Sequence, residues 1–316
     1  VEVAILLALC LVAVAPPLPF QEPSPVPRLF LQPAMDAPEG LAAGRVSGTL
    51  RLLYSNSILE GASRRHTLDI DMEEAHLLAE LRWAPTDRVE LRLALPVMLD
   101  WGGFLDAPID AVERLANVSN PERLARARGR TRFLLTGPGG AIDRSHAGGG
   151  MGDVVLGARL GIWSACGPRP AIALRAAVKV PSAALPWGSG TLDVGGGVLA
   201  GWRGERTALR LALDVTAPTA GVRIVALDTR PFASAQAALA RSVSDRTTLH
   251  VQLSAHGSPI RRSGIRELDG PDAYVVAGAT TRLPRRLALE LGVAEGIFSP
   301  YRGTDLTLLI GARLVE

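Results

Sequence analysis

Several groups of residues in this chain of 316 residues have the types needed for chemistry. Asp143, Ser145 and His146 supply a carboxylate, a hydroxyl and an imidazole, the parts of a nucleophilic hydrolase or acyltransferase. Those roles require convergence in space, which adjacency in sequence does not provide. Gly137-Pro138-Gly139-Gly140 and Gly148-Gly149-Gly150 have the glycine content of phosphate loops, but no Gly-Lys-Ser/Thr follows either run. His250 and His256 share one face of an alternating segment and lie too far apart along it to chelate one ion unaided. No metal or cofactor is expected.

A more distributed chemistry is written in the charges. Arg82, Arg92, Arg159, Arg175, Lys179, Arg210 and Arg313 each interrupt an apolar alternation, beside Glu80, Glu90, Asp153, Asp214, Glu290 and Asp305. Collected on one surface they would form either a salt-bridged interior or a polar pathway whose charge pattern sets selectivity.

The elements that must position these charges are strands. Alternation of period two runs through 45–55, 74–83, 89–97, 152–163, 171–180, 191–202, 207–216, 232–241, 247–256, 273–282, 286–295 and 305–315. In 207–216, for example, Leu209, Leu211, Leu213 and Val215 oppose Arg210 and Asp214. Tight polar turns such as Pro85-Thr86-Asp87-Arg88, Gly204-Glu205-Arg206-Thr207 and Ser244-Asp245-Arg246-Thr247 alternate with longer Gly/Pro/Ser-rich connections. Short turns at one end and long loops at the other are the pattern of a transmembrane β-barrel. About twelve strands are expected, an even number that puts both ends of the barrel chain with the short turns on the periplasmic side. That count requires 130–136 to belong to one long connection, 98–150, and not to the wall.

Composition agrees. Glycine is abundant (33 residues), charge is modest (net +3), and mean hydropathy is positive at +0.21. Beyond the first residues no run approaches the roughly 18 apolar residues of a spanning helix. Lys179 is the only lysine and the arginines are dispersed, so no basic face for nucleic acid is present. Residues 4–15 are apolar and end in Ala13-Val14-Ala15, which reads as an export signal over 1–15; a Pro-rich segment, 16–44, follows, and the barrel is expected over 45–316. Cys10 would leave with the signal, so Cys166 would stand alone and no disulfide is expected. Trp83 and Trp202 fall at the periplasmic ends of their strands in phase with the lipid face, as in an aromatic girdle, whereas Trp163 is at the same level but out of phase.

Within 98–150, Trp101-Gly102-Gly103-Phe104-Leu105-Asp106 leads into a helix predicted over 106–117, with Asp106 as N-cap, Pro108 in the first turn, and Ile109, Val112 and Leu115 at helical spacing. At these residues the chain resembles an uncharacterised bacterial outer-membrane family, the domain of unknown function numbered 3187. The likeness rests on the Asp87-Arg88 turn, the Glu90-Leu91 strand, the Gly102–Asp106 block, Ile109, and Met151-Gly152-Asp153 followed by Leu156-Gly157-Ala158-Arg159. It runs from Leu50 to Arg210; Val112-Glu113 stands where the family has an aromatic–His pair. The resemblance implies an outer-membrane barrel of porin-like kind and supplies no substrate or reaction.

The expectation is therefore an all-β, up-and-down transmembrane barrel in the outer membrane of a Gram-negative bacterium, with no enzymatic role. It would act as a narrow channel or small-solute binding barrel. The residues expected to face the lumen are Arg82, Glu90, Arg92, Arg159, Arg175, Lys179, Arg210, Asp214 and Arg313. Trp101, Phe104, Leu105, Asp106, Ile109 and Val112 would carry the helix-bearing loop over or into the lumen. Expected partners are outer-membrane lipid and lipopolysaccharide, the barrel-assembly machinery and a small solute. The competing readings are a lipid-modifying membrane enzyme using Ser145 and His146, and a structural barrel with no pathway.

Overall fold

The computed structural model describes residues 14–115, 126–167, 169–297 and 304–314, without the side chains of Val112, Glu113, Leu115 and Asp305. In chain order the strands are β1 (Val46–Ala62), β2 (Thr67–Trp83), β3 (Val89–Trp101), β4 (Arg132–Gly137), β5 (Gly140–Arg144), β6 (Gly148–Met151), β7 (Val154–Trp163), β8 (Ala171–Val180), β9 (Asp193–Arg203), β10 (Thr207–Pro218), β11 (Asp228–Thr229), β12 (Phe232–Ser242), β13 (Thr247–His256), β14 (Ile260–Arg261), β15 (Asp272–Leu283), β16 (Leu287–Gly296) and β17 (Thr304–Leu314). Twelve of them, β1, β2, β3, β7, β8, β9, β10, β12, β13, β15, β16 and β17, pair antiparallel in sequence order, and β1 pairs with β17 to close the ring. The seam sets Thr49 opposite Arg313 and Leu52 opposite Ile310. Both Val46 and Leu314 lie at the end that carries the short turns.

The barrel is apolar outside and charged inside. Along β10, Leu209, Leu211, Leu213 and Val215 are exposed while Ala208, Arg210, Ala212, Asp214 and Thr216 are buried. The same inversion repeats around the wall, with Leu81, Leu91, Leu160, Leu174, Leu239, Val251, Leu291 and Ile310 outward. An outer surface of this kind is stable only against lipid. Trp83 and Trp202 are outward as expected. Trp163 joins them because the register slips between Gly161 and Trp163, leaving Trp163 opposite Ile172 and in phase with Leu174. The extra residue of a β-bulge reverses every side chain beyond it, so the plain alternation put this residue on the wrong face.

β1 and β2 are 17 residues each, against the roughly 9–11 needed to cross a membrane on a tilt. Their excess stands clear on the extracellular side. There β4 replaces β3 as the neighbour of β2, from Thr67 opposite Thr136 to Asp71 opposite Arg132, and β5 pairs with β4. Residues 130–136 thus extend the sheet above the wall and are not a wall strand. The inward residues of this extension, Leu59, Leu68, Ile70, Phe133, Leu135 and Ile142, pack with Val222, Val225, Leu227, Ile260 and Leu268 from other loops. This apolar cap covers the extracellular mouth.

The helix α1 (Asp106–Leu115) corrects an expectation. It neither caps nor enters the lumen. Leu105 and Ile109 pack on Tyr54 and Ala75, with Trp101, Leu52, Leu306 and Leu308 beside them. These strand residues share the outward face of Leu50, Leu77 and Ile310, so α1 lies on the outside of the barrel, where β1, β2 and β17 rise above the membrane. Phe104, which stacks on Tyr54, is 67% exposed there. Asp106 and Asp110 are buried beneath the helix; Asp106 accepts from Asn56 and Gly129, and Arg128 donates to Asp110. The side chain of Val112 and the C-terminal part of the predicted helix lie outside the described residues. No described helix is long and apolar enough to cross a membrane.

The outward face of β10 offers a direct check. Leu213→Arg, near the middle of the strand, should destabilise the barrel by about 2–4 kcal/mol in lipid vesicles, read as a lower urea midpoint.

Candidate functional site

The lumen is filled by the chain's own N-terminal segment. Residues 14–38 are almost all buried, among them Leu18, Phe20, Leu29, Phe30, Leu31, Met35 and Ala37. The path begins at the periplasmic end, where Ala15 N–H donates to Thr248 and Arg210 donates to the Ala15 carbonyl. It rises past Gln252, whose amide exchanges bonds with Leu18 N–H and carbonyl at 2.6 and 2.7 Å. Glu22 meets His256 at 2.8 Å near the top. A single 3-10 turn at Pro27–Leu29 reverses the chain under the apolar cap. The descending limb leaves Leu31 N–H on Asp193, the Pro33 carbonyl on Gln236, the Ala34 carbonyl on Arg175 and the Pro38 carbonyl on Arg159. It returns to the periplasmic end, where Leu41 N–H donates to Glu90.

The inner wall is shaped to this hairpin. A Cβ at Gly201 would strike Pro38 at 2.7 Å, and one at Gly278 would meet the Leu291 carbonyl and, at 2.7 Å, Leu18. Met35 sits among Ala173, Ala212 and Ala238 with Leu199. Much of the glycine and alanine on the inward face is therefore space for the segment. Prolines lacking an N–H keep the segment extended without backbone donors to satisfy. Among the described residues no backbone–backbone hydrogen bond joins 14–41 to a wall strand.

Charges decide how the segment is held. At the periplasmic ends of their strands, Arg51, Arg82, Arg92, Arg159, Arg175, Arg210 and Arg313 face inward with Glu80, Glu90 and Glu290. Toward the extracellular side the inward charges are Glu74, Asp100, Asp153 and Asp193, with Lys179 bridging the last two at 2.7 and 3.5 Å. The lumen is basic below and acidic above, and two residues of the segment, Arg28 at the tip and Asp36 lower down, carry the opposite order. Its Arg28, at the tip, grips Asp100 with two bonds of 3.0 Å and Glu74 with one of 2.9 Å. Trp187 lies under the guanidinia of Arg28 and Arg144, and Arg144 also donates to Asp100. Its Asp36, on the descending limb, takes Arg82 at 3.1 Å, Arg92, and the Ala37 N–H at 2.8 Å. Burial works to raise the Asp36 carboxyl, but Arg82, Arg92 and Arg175 outweigh it and hold the group well below the usual carboxylate range.

In the register of the wall, Arg82, Glu90, Arg92, Arg159, Arg175, Lys179, Arg210, Asp214 and Arg313 share the inner face. Arg175 and Asp214 form a two-bond pair at 2.6 and 2.7 Å, and Arg313 reaches Glu290 at 3.1 Å. The partners missed by sequence reasoning are Glu22, Arg28 and Asp36. Below the segment an arginine-rich vestibule of ≈ 570 Å³ opens to the periplasmic side, lined by Arg82, Arg210, Arg282, Arg313 and Glu39 among others.

The other sequence candidates do not come together. Asp143 pairs with Arg132, while Ser145 and His146 are exposed in the following loop. His250 is buried against Thr280, while the half-buried His256 pairs with Glu22, so the two imidazoles serve different contacts. Among the described residues no group of His, Cys, Asp and Glu is placed to hold a metal.

Residues 15–314 match the family model described as "Protein of unknown function (DUF3187)". The chain belongs to this DUF3187 family. The match extends well beyond the Leu50–Arg210 likeness and takes in the lumenal segment. A search of curated proteins finds no match. Among solved structures, the CymD monoaromatic hydrocarbon channel is similar at 8% identity and TM-score 0.43, over 87% of this chain and 89% of that one. The Pseudomonas putida toluene transporter TodX is similar at 8% identity and TM-score 0.41, over 94% and 97%. A Pseudomonas aeruginosa FadL homologue gives 10% and 0.38, over 85% and 88%. Likenesses this distant do not extend to what those barrels carry.

Removing one partner of a buried ion pair strands the other, at a cost of about 3–5 kcal/mol. Arg28→Met should therefore lower the thermal midpoint and make 16–38 cleavable by protease added to the folded barrel, while the barrel itself stays protected.

Proposed function

We propose that this DUF3187 protein is an outer-membrane channel for a small solute, closed at rest by its own N-terminal segment. The observation that carries the reading is the manner of attachment. The segment fills the lumen through side-chain contacts and ion pairs, without entering the sheet, so it can shift without breaking any ladder of the wall. A barrel meant only as a scaffold would gain more from an apolar core, since burying paired charges yields little net stability. The charged inner wall gives a polar pathway once the segment moves.

On this reading the protein carries a solute and does not act as an enzyme. The apolar belt sits in outer-membrane lipid, and the exposed Phe104 with α1 meets the lipopolysaccharide leaflet. Folding uses the barrel-assembly machinery.

Single-channel recording in planar bilayers tests the reading. The intact protein should be silent or open only briefly, and a variant lacking 16–38 should give steady steps. A variant lacking 104–129 should behave like the intact protein, because α1 lies outside the wall. Silence of the 16–38 deletion, if it retains heat-modifiable β-structure, would remove the channel model.

A further inference from the structure

The basic end of the lumen holds one carboxylate that does not belong to the wall. Asp36 accepts from Arg82 and Arg92, and its Oδ1, which faces Arg82, also takes the Ala37 N–H. Two cavities meet at this residue. Below it lies the vestibule of ≈ 570 Å³, and above it a smaller cavity of ≈ 80 Å³ lined by Arg92, Arg159 and Arg175 together with Glu80 and Glu90. Asp36 lines both, so its carboxylate stands between them. Converging guanidinium donors are the arrangement that recognises carboxylate and phosphate groups.

We propose that Arg82 and Arg92 form an anion-binding site for the solute, and that the Asp36 carboxylate is its resident occupant. The site takes a small molecule bearing a carboxylate or phosphate group, which reaches it through the arginine-lined vestibule. Such a molecule and Asp36 compete for the same donors. Solute binding therefore removes the ion pairs of the descending limb, whose remaining ties are single hydrogen bonds: the Leu31 N–H on Asp193, the carbonyls of Pro33, Ala34 and Pro38, and the Leu41 N–H on Glu90. The tip, held by Arg28, is a separate anchor. The proposal rests on the channel reading for its purpose, but the site itself is open to a measurement that needs no conduction.

The test is anion binding to the full-length refolded barrel in detergent, followed by calorimetry with succinate and with inorganic phosphate. A tethered competitor acts at an effective concentration in the millimolar range, so Asp36→Asn should tighten binding by about tenfold or more. Asp36→Asn combined with Arg92→Gln should lose the gain. Preference for succinate over phosphate, or the reverse, identifies which anionic group the solute carries. Equal, weak binding by the wild type and Asp36→Asn, with heat-modifiable barrel retained, overturns the proposal. Should Asp36→Asn refold poorly, its thermal midpoint in succinate or phosphate against sodium chloride at equal ionic strength replaces calorimetry. A rise in either anion supports the site and no rise in both overturns it. Binding without any conductance from the 16–38 deletion would leave the site standing and remove the channel. Conductance without binding would do the opposite.

Discussion

A charge taken out of water must find an opposite charge, and in this barrel the partners are divided between the wall and the N-terminal segment. The cost of an unpaired buried ion is several kcal/mol, so the segment stays seated as long as its charges and those of the wall pair with one another. The wall is graded, arginines toward the periplasm and carboxylates toward the outside, and the segment answers with Asp36 low and Arg28 high. That complementarity fixes which limb descends where. A segment inserted the other way up would set Arg28 among arginines and Asp36 among carboxylates.

Shape follows charge. Small residues at Gly278, Gly201, Ala173 and Ala238 admit Leu18, Pro38 and Met35 to the wall, and a lumen so filled has no room for a second element. The apolar face of α1 must then be buried elsewhere. The overlong β1 and β2 supply the place, because their outward residues Tyr54 and Ala75 stand above the membrane and need cover. Capping from outside falls instead to β4 and β5, which continue the sheet of β2 over the mouth.

How much of this was legible in the sequence differs by element, for physical reasons. Period-two alternation is a property of each strand by itself, so the twelve wall strands and the inward charges could be read directly. Trp163 could not, because a one-residue bulge has no signature in composition. The helix was legible as a helix from Ile109 and its spacing, but an amphipathic face does not say which surface it will meet. The N-terminal segment was the larger omission. Its prolines marked it only as a Pro-rich segment ahead of the barrel, and Arg28 and Asp36 are isolated charges whose meaning exists only against the wall. One signal was present in its length: an extended run from 16 to 28 rises about 3 Å per residue, enough to cross the roughly 30 Å of a membrane core. The glycines of β9 were another, since inward glycines in a barrel wall imply something close to it.

Both limbs of the segment begin and end at the periplasmic rim, Ala15 beside Thr248 and Leu41 beside Glu90. The hairpin therefore never passes through the ring formed when β1 meets β17; it only reaches into it. No threading is required in either direction, so the strand seam can close first and the segment can enter afterwards. For the same reason the segment can leave by the opening through which it came, still covalently joined to β1, and the barrel keeps its topology throughout.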